Sequence, residues 1–241
     1  MFNTTDPLRT IALAQPATIR VFERFRLDYC CGGNQPLGEA CARQSISTET
    51  ILAELEKATG GETRVKDLTG ASLTGIVAEI VHTHHAYIRS ELPRLKIMSE
   101  KVVAKHGNTH PEVLSIGRML ATLADELLQH LAKEEMILFP YIEKLERSMN
   151  SGSALPHSCF DSVASPIQAM IHEHEGAGQL TAQMRAAANG YTAPADACAT
   201  FVGLYAGLDD FERDLHLHIH RENNLLFPRA IEMEKSAFTA A

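Results

Sequence analysis

The sequence predicts an all-α protein, an up-down-up-down four-helix bundle preceded by a small helical N-terminal domain. Three observations predict it. His130 and Glu134 stand four residues apart, and so do His218 and Glu222, 88 residues later. The text after each pair repeats in register, Glu-Glu-Met-Ile-Leu-Phe-Pro at 134–140 and Glu-Asn-Asn-Leu-Leu-Phe-Pro at 222–228. A further histidine precedes each pair, His85 by 45 residues and His174 by 44. A period this long does not describe a solenoid of short repeats. It describes two helix pairs facing each other across one core.

Random placement of the twelve histidines and thirty acidic residues produces about one and a half His-x-x-x-Asp/Glu pairs. The sequence holds three, with His157–Asp161 as the spare in a Ser/Pro-bearing stretch. The spacing alone is therefore weak. The register shared with Leu-Phe-Pro is the discriminating signal.

Residues 1–61 read as a first, helical domain. Ile19, Phe22 and Phe25 share a helical face, followed by the turn Asp28-Tyr-Cys-Cys-Gly-Gly-Asn34 and Pro36. Ser47 to Ala58 reads as a helix with Ile51, Leu52 and Leu55 apolar, stopped by Gly60-Gly61. Residues 62–71 are polar and read as a linker. The second domain, 72–241, holds four long helices. The first runs from about 72 to 105. The second starts at Thr109, with Pro111 in its first turn and Glu112 completing a capping box, and runs to about 148. A Ser-, Asn- and Gly-rich loop follows to Pro156. The third starts at Ser165-Pro166 with Gln168 at the capping-box position and ends at Asn189-Gly190; the fourth starts near Thr192-Ala-Pro194 and runs to about 234.

Two residues at equal height on antiparallel neighbours lie symmetrically about the turn. The midpoints of successive histidines fall between Gly107 and Asn108, at Gly152, and at Asp196. Turn signals sit at or near all three, so the four histidines share one layer. The stripes Leu120, Leu123, Leu127, His130, Glu134, Ile137, Tyr141 and Leu204, Leu208, Phe211, Leu215, His218, Glu222, Leu225 keep the spacing of an inward face. Ile167, Met170, Ile171 and His174 continue it on the third helix. On the first, Val77, Val81, His85, Ile88 and Leu92 do so, but His84 also neighbours Val77 and Ile88.

The chain has net charge −8 and no basic patch, which argues against nucleic acid. No run of about eighteen apolar residues suggests a membrane span. Met1 to Asp6 lack a signal design, so a cytoplasmic protein is expected. Five cysteines, two of them the adjacent Cys30 and Cys31, do not form a secreted disulfide framework; reduced thiols are expected.

Residues i and i+4 share a helix face about 6 Å apart along the axis. Four imidazoles and two carboxylates in one layer make a dinuclear metal site, and nitrogen and oxygen donors without thiolate suit iron or manganese, with zinc possible. Two buried glutamates and four buried histidines would be costly without a cation. His82, His84, His172, His216 and His220 are expected to support the site or lie on the surface, and His106, His110 and His157 to carry no role. Cys30-Cys31, held by Gly32-Gly33, reads as a functional thiol pair that binds metal, exchanges disulfides or accepts NO. Cys41, Cys159 and Cys198 are assigned none.

Asp28-Tyr-Cys-Cys-Gly-Gly, followed by two His…His-x-x-x-Glu halves each ending in Leu-Phe-Pro, resembles the repair-of-iron-centres (RIC) family over nearly the whole chain, and its C-terminal part is similar to hemerythrin. The resemblance implies a non-haem centre of two iron ions, carboxylate- and oxo-bridged, with ligands His85, His130, Glu134, His174, His218 and Glu222, the two glutamates bridging. The family's first histidine precedes a Leu-Pro pair by seven residues, which selects His85, before Leu92-Pro93, over His84. The implied role is restoring iron–sulfur clusters damaged by nitric oxide or oxidants, by supplying iron, with damaged iron–sulfur proteins as partners. The alternatives are an NO- or O2-binding scavenger or sensor, and a di-iron NO reductase. The oligomeric state is not legible.

Overall fold

The computed structural model describes residues 2–59 and 65–240, the side chains of 238–240 excepted. Four short helices open the chain: α1 (Leu8–Ala14), α2 (Ile19–Phe25), α3 (Leu37–Arg43) and α4 (Thr48–Thr59). Their core gathers Leu8, Ile11, Phe22, Leu37, Ile51 and Leu55, all fully buried. Phe25, on the same predicted face, is only half-buried. The predicted stop at Gly60-Gly61 and the first part of the 62–71 linker lie outside the described residues. Leu68, within that polar stretch, is buried against the bundle end.

The four long helices follow. The first is α5 (Leu73–Ile80) and α6 (Ala86–His106), the second α7 (Glu112–Lys133) and α8 (Phe139–Ser151), the third α9 (Ala164–Ala187), and the fourth α10 (Ala199–Arg221) and α11 (Phe227–Ala240). Three of them are interrupted, without breaking, by one wide π turn each: Val81–His85, Glu134–Leu138 and Glu222–Leu226. A π turn inserts one extra residue and rotates everything after it, and such turns concentrate at functional sites. The insertion corrects the predicted stripe of the second helix. Ile137 is 48% exposed, whereas Leu138 and Phe139 take the core positions.

Helix starts also differ from the predicted capping boxes. Thr109 bonds back to the carbonyl of His106, and α7 begins after Pro111 with no side-chain cap. At α9, Ser165 and Gln168 do not cap either. The buried Glu234 carboxylate, from α11, accepts from the Val163 amide (3.0 Å), Ser162 Oγ (2.6 Å) and Tyr141 Oη (2.7 Å). Glu146 does the same for α5, accepting from the amides of Leu73 and Thr74 at 2.7 and 2.9 Å. These carboxylates answer the helix's unsatisfied first amides from another helix, a contact that local sequence does not encode. The fourth helix begins at Ala199, later than Thr192-Pro194 suggested, so Asp196 lies inside the loop.

Two apolar clusters fill the bundle. One, toward the α6–α7 end, holds Leu92, Leu95, Ile116, Leu123 and Phe211. The other, toward the chain's α5 and α11 ends, holds Ile76, Ile80, Ile142, Ile167 and Phe227. The histidine layer lies between them. The N-terminal helices pack on the outer face of α10, where Leu217 joins their core, and Cys30 reaches the bundle's own core. Among the described residues no helix is long and apolar enough to cross a membrane.

Candidate metal centre

The six predicted donors meet in the layer between the two clusters. His85, His174, His218, Glu134 and Glu222 are fully buried and His130 nearly so. Their donor atoms form two overlapping groups, His85, Glu134, His218 and Glu222 on one side and His130, Glu134, His174 and Glu222 on the other. The two glutamates are common to both. Nε2 of His85 lies 3.2 Å from Nε2 of His218, and Nε2 of His130 lies 3.0 Å from Nε2 of His174. Glu134 Oε2 is 3.4 Å from both His85 and His130. Glu222 places Oε1 3.0 Å from His218 and Oε2 3.0 Å from His174.

The tautomers follow from the outer contacts. His85 Nδ1 faces Glu135 at 2.7 Å, His130 Nδ1 faces Glu173 at 2.9 Å, and His174 Nδ1 faces the amide oxygen of Asn223 at 2.8 Å. Each Nδ1–H donates outward, so each Nε2 turns its lone pair inward. Lone pairs then face lone pairs and carboxylates. Neither oxygen of Glu134 accepts a hydrogen bond, nor does Oε2 of Glu222. Buried carboxylate oxygens without donors are a strong anomaly. A cation in each group of four answers it, so the residues present fit a pair of metal ions.

The electrostatics agree. Burial pushes the His85 imidazole down, but Glu134 and Glu222 outweigh it and lift its pKa to about 10. His130 rises to about 9 in the same way, against burial, through Glu134. Burial raises Glu222, yet His218, His174 and His85 hold it well below the carboxylate range. The site draws positive charge inward, as protons when no metal is bound.

The repeated motif now has a physical reading. Glu135 and Asn223 occupy the position after each repeated glutamate and orient His85 and His174. Phe139 and Phe227, the Phe of each Leu-Phe-Pro, stack on the same two rings at 5.6 and 6.1 Å. Sequence reasoning missed Glu135, Asn223 and Glu173. An acceptor at the same place in both halves was the available signal for the first two.

His84 is buried beside His85 but faces away from the donor groups. Its Nδ1 meets Asp214 at 2.9 Å, Arg221 Nη1 donates to its Nε2 at 2.8 Å, and its ring stacks on His218 at 5.4 Å. His172 is exposed, His216 bonds Glu23, and His220 bonds the Tyr29 carbonyl.

A family model described as the hemerythrin HHE cation-binding domain matches residues 77–230, and a second, ScdA_N, a domain of unknown function, matches 4–59. The chain is 37% identical over 227 residues to the iron–sulfur cluster repair protein YtfE of Musicola paradisiaca, covering 94% of this chain and 96% of that protein. It belongs to the repair-of-iron-centres family. The YtfE proteins of Pectobacterium atrosepticum and Escherichia coli O157:H7 are each 36% identical to it, over 94% and 95% of this chain and 97% and 98% of theirs. Membership makes the bundle a cation-binding domain.

The family's N-terminal part supplies the other predicted residues. Asp28 Oδ1 accepts from the amides of Cys30 and Cys31 at 3.2 and 2.9 Å, closing the turn. Gly33 is required there, since a Cβ would lie 2.6 Å from the Tyr29 carbonyl oxygen. Cys30 is buried and Cys31 half-exposed, and with Asp28 they form a smaller donor cluster of their own. The structure does not bring them into the histidine layer. It does bring them against the same helix, because Asn224 Nδ2 donates to the carbonyls of Tyr29 and Cys30 at 3.2 and 3.1 Å.

Proposed function

We propose that this chain is a di-iron protein that helps restore iron–sulfur clusters damaged by nitric oxide or oxidants, supplying iron from the middle of its bundle. The observation that carries the reading is the convergence of four Nε2 atoms on two fully buried carboxylates that have no other donors. His85 and His218 would hold one iron, His130 and His174 the other, and Glu134 and Glu222 would bridge them. Nitrogen and carboxylate donors without thiolate suit iron, and the cluster-repair names of the relatives favour it over manganese.

Bound there, the two irons supply releasable metal and open positions for small ligands. The chain's own residues do the rest. Glu135, Glu173 and Asn223 hold the outward protons and keep the Nε2 atoms aimed inward. Phe139 and Phe227 cover the rings and keep water from them. Two imidazoles and the two shared carboxylates would hold each ion, which leaves positions for incoming ligands. Cys30 and Cys31 would receive or pass on iron, NO or electrons, from a loop tied to the helix of His218 and Glu222. The partners would be proteins whose clusters are damaged.

The test loads the protein with isotopically labelled iron and mixes it with an iron–sulfur enzyme inactivated by NO. Recovered activity with the label in the rebuilt cluster supports the reading; recovery without label sinks it.

A cleft of about 290 Å3 beside His130 and His174, bordered by Lys133 and Gly176, favours a second reading, an NO- or O2-binding scavenger or sensor. A protein that keeps both irons under NO, and donates none, would have that role.

A further inference from the structure

The two halves of the bundle repeat each other around the donor layer, and the repeat fails at one place. His85 corresponds to His174, His130 to His218, and Glu134 to Glu222. The outer contacts follow the same correspondence. Glu135 and Asn223, each after its half's glutamate, accept from Nδ1–H of His85 and His174. The residue before His174 is Glu173, and it accepts from Nδ1–H of His130 at 2.9 Å. Its other oxygen takes the ammonium of Lys133, three residues past His130. The residue before His85 is His84, and it meets His218 ring on ring, with centroids 5.4 Å and planes 10° apart. Arg221, three residues past His218, donates to His84 Nε2 at 2.8 Å, as Lys133 does to Glu173. The second half keeps the cation and loses the carboxylate.

An imidazole cannot do there what Glu173 does. His84 has two nitrogens and both are engaged: Nε2 accepts from Arg221, and Nδ1–H donates to Asp214 at 2.9 Å. Only the face of its ring is left for His218. Nδ1 of His218 is buried and has no hydrogen-bond partner among the described residues, unlike Nδ1 of His85, His130 and His174. A neutral imidazole that binds metal through Nε2 carries its proton on Nδ1. On His218 that N–H has left water without gaining an acceptor, which is unfavourable. Three of the four imidazoles are therefore oriented, and made stronger donors, by an outer acceptor. The fourth is held by stacking.

We propose that the two ions are held unequally, firmly by His130 and His174 and weakly by His85 and His218, with His84 as the positioning residue that sets the difference. The inference rests on the di-iron reading and deepens it. One imidazole without its outer partner corresponds to about 10–100-fold in metal affinity. The chain can then give up one iron and keep the other. Glu134 and Glu222 are common to both donor groups, so the ion that stays keeps both buried carboxylates paired. What a recipient takes is one iron per chain, and the donor layer is never left with two uncompensated glutamates.

The test dialyses the full-length protein, loaded with ferrous iron in the absence of oxygen, against buffers of falling free ferrous iron set by a chelator. Elemental analysis then gives the iron per chain. The content should fall in two steps about 10–100-fold apart in free iron, with a level near one iron per chain between them. Two neighbouring cations also repel, which separates the steps by itself, so variants identify the position that empties first. His84→Glu supplies a carboxylate at the place corresponding to Glu173. It should carry the first step about 10–100-fold toward lower free iron and leave the second in place. Glu173→Ala removes the acceptor of His130 and should draw the second step up to the first. If His84→Glu does not fold, Glu173→Ala, at a partly exposed side chain, decides. Loss of both irons from the natural chain in one step overturns the proposal. So does a Glu173→Ala variant in which the first step moves and the second stays, or in which neither moves. A natural chain that never takes up two irons sinks the di-iron reading and this inference with it, whereas two irons with the wrong response sink the inference alone.

Discussion

The Asn224 amide holds the Cys30 carbonyl at 3.1 Å, two residues along the chain from the fully buried Glu222. One π turn therefore carries three neighbouring duties: Glu222 enters the donor layer, Asn223 orients His174, and Asn224 fastens the thiol loop. Asn224→Ala should free that loop without touching the donor layer. Two hydrogen bonds are lost at about 1 kcal/mol each. Cys31 should alkylate faster, while iron content stays at its natural level. Unchanged alkylation would mean that His220 alone suffices to hold the turn.

Metal content tests the layer directly. The protein should hold about two irons per chain, one for each of the two donor groups that share Glu134 and Glu222. Glu134→Ala, which removes a donor common to both groups, should weaken both ions. Elemental analysis finding one tight zinc and no iron would refute the assignment.

Glu135→Ala should keep every donor and still loosen the metal. It deprives His85 of its Nδ1 acceptor and Arg89 of its carboxylate partner. Outer partners of this kind are worth about 10–100-fold in affinity. Competition against a chelator measures it, and natural affinity in the variant would show the ring is held by Phe139 alone.

Stability should depend on pH differently with and without metal. In the metal-free protein His85 and His130 titrate near 10 and 9, above an ordinary imidazole. Their contribution is full below the unfolded value near 6.5 and is lost as pH rises through 9 to 10. The metal-free melting temperature should thus fall between pH 7 and 10. A bound cation replaces those protons, so the iron-loaded protein should melt higher and show less of that fall. Parallel melting curves for the two forms would count against a buried site. Leu127→Ala, one layer below, should cost about 2–5 kcal/mol in either form.

A Cys30→Ala, Cys31→Ala double variant should keep its iron and its helices, since neither thiol is among the histidine-layer donors. It should lose cluster restoration if the pair passes on iron, NO or electrons. The two readings to compare are its restoration rate and its iron content. Full restoration would reduce the thiols to packing; lost iron would mean that the two sites are not separate.

Helical periodicity is local, so the sequence alone carried the paired His-x-x-x-Glu segments, the four-helix order and the single histidine layer. Spacing four apart puts His130 and Glu134, or His218 and Glu222, on one face wherever the helix goes. Symmetry about Gly107, Gly152 and Asp196 needed only the lengths between histidines. What depends on contacts between distant segments was not legible. His84 and His85 both suit a buried face, and only Asp214 and Arg221, arriving on α10, draw His84 aside. The π turn at 134–138 adds one residue to the helix and moves Leu138, rather than Ile137, into the core. Propensity does not announce such a turn, because its stability comes from what it packs against. Glu234 and Glu146 cap helices from another part of the chain, and Arg26 and Glu212 share a cleft across 186 positions. Those pairings come from how whole helices dock, and docking is decided by the fit of assembled surfaces that no local window contains.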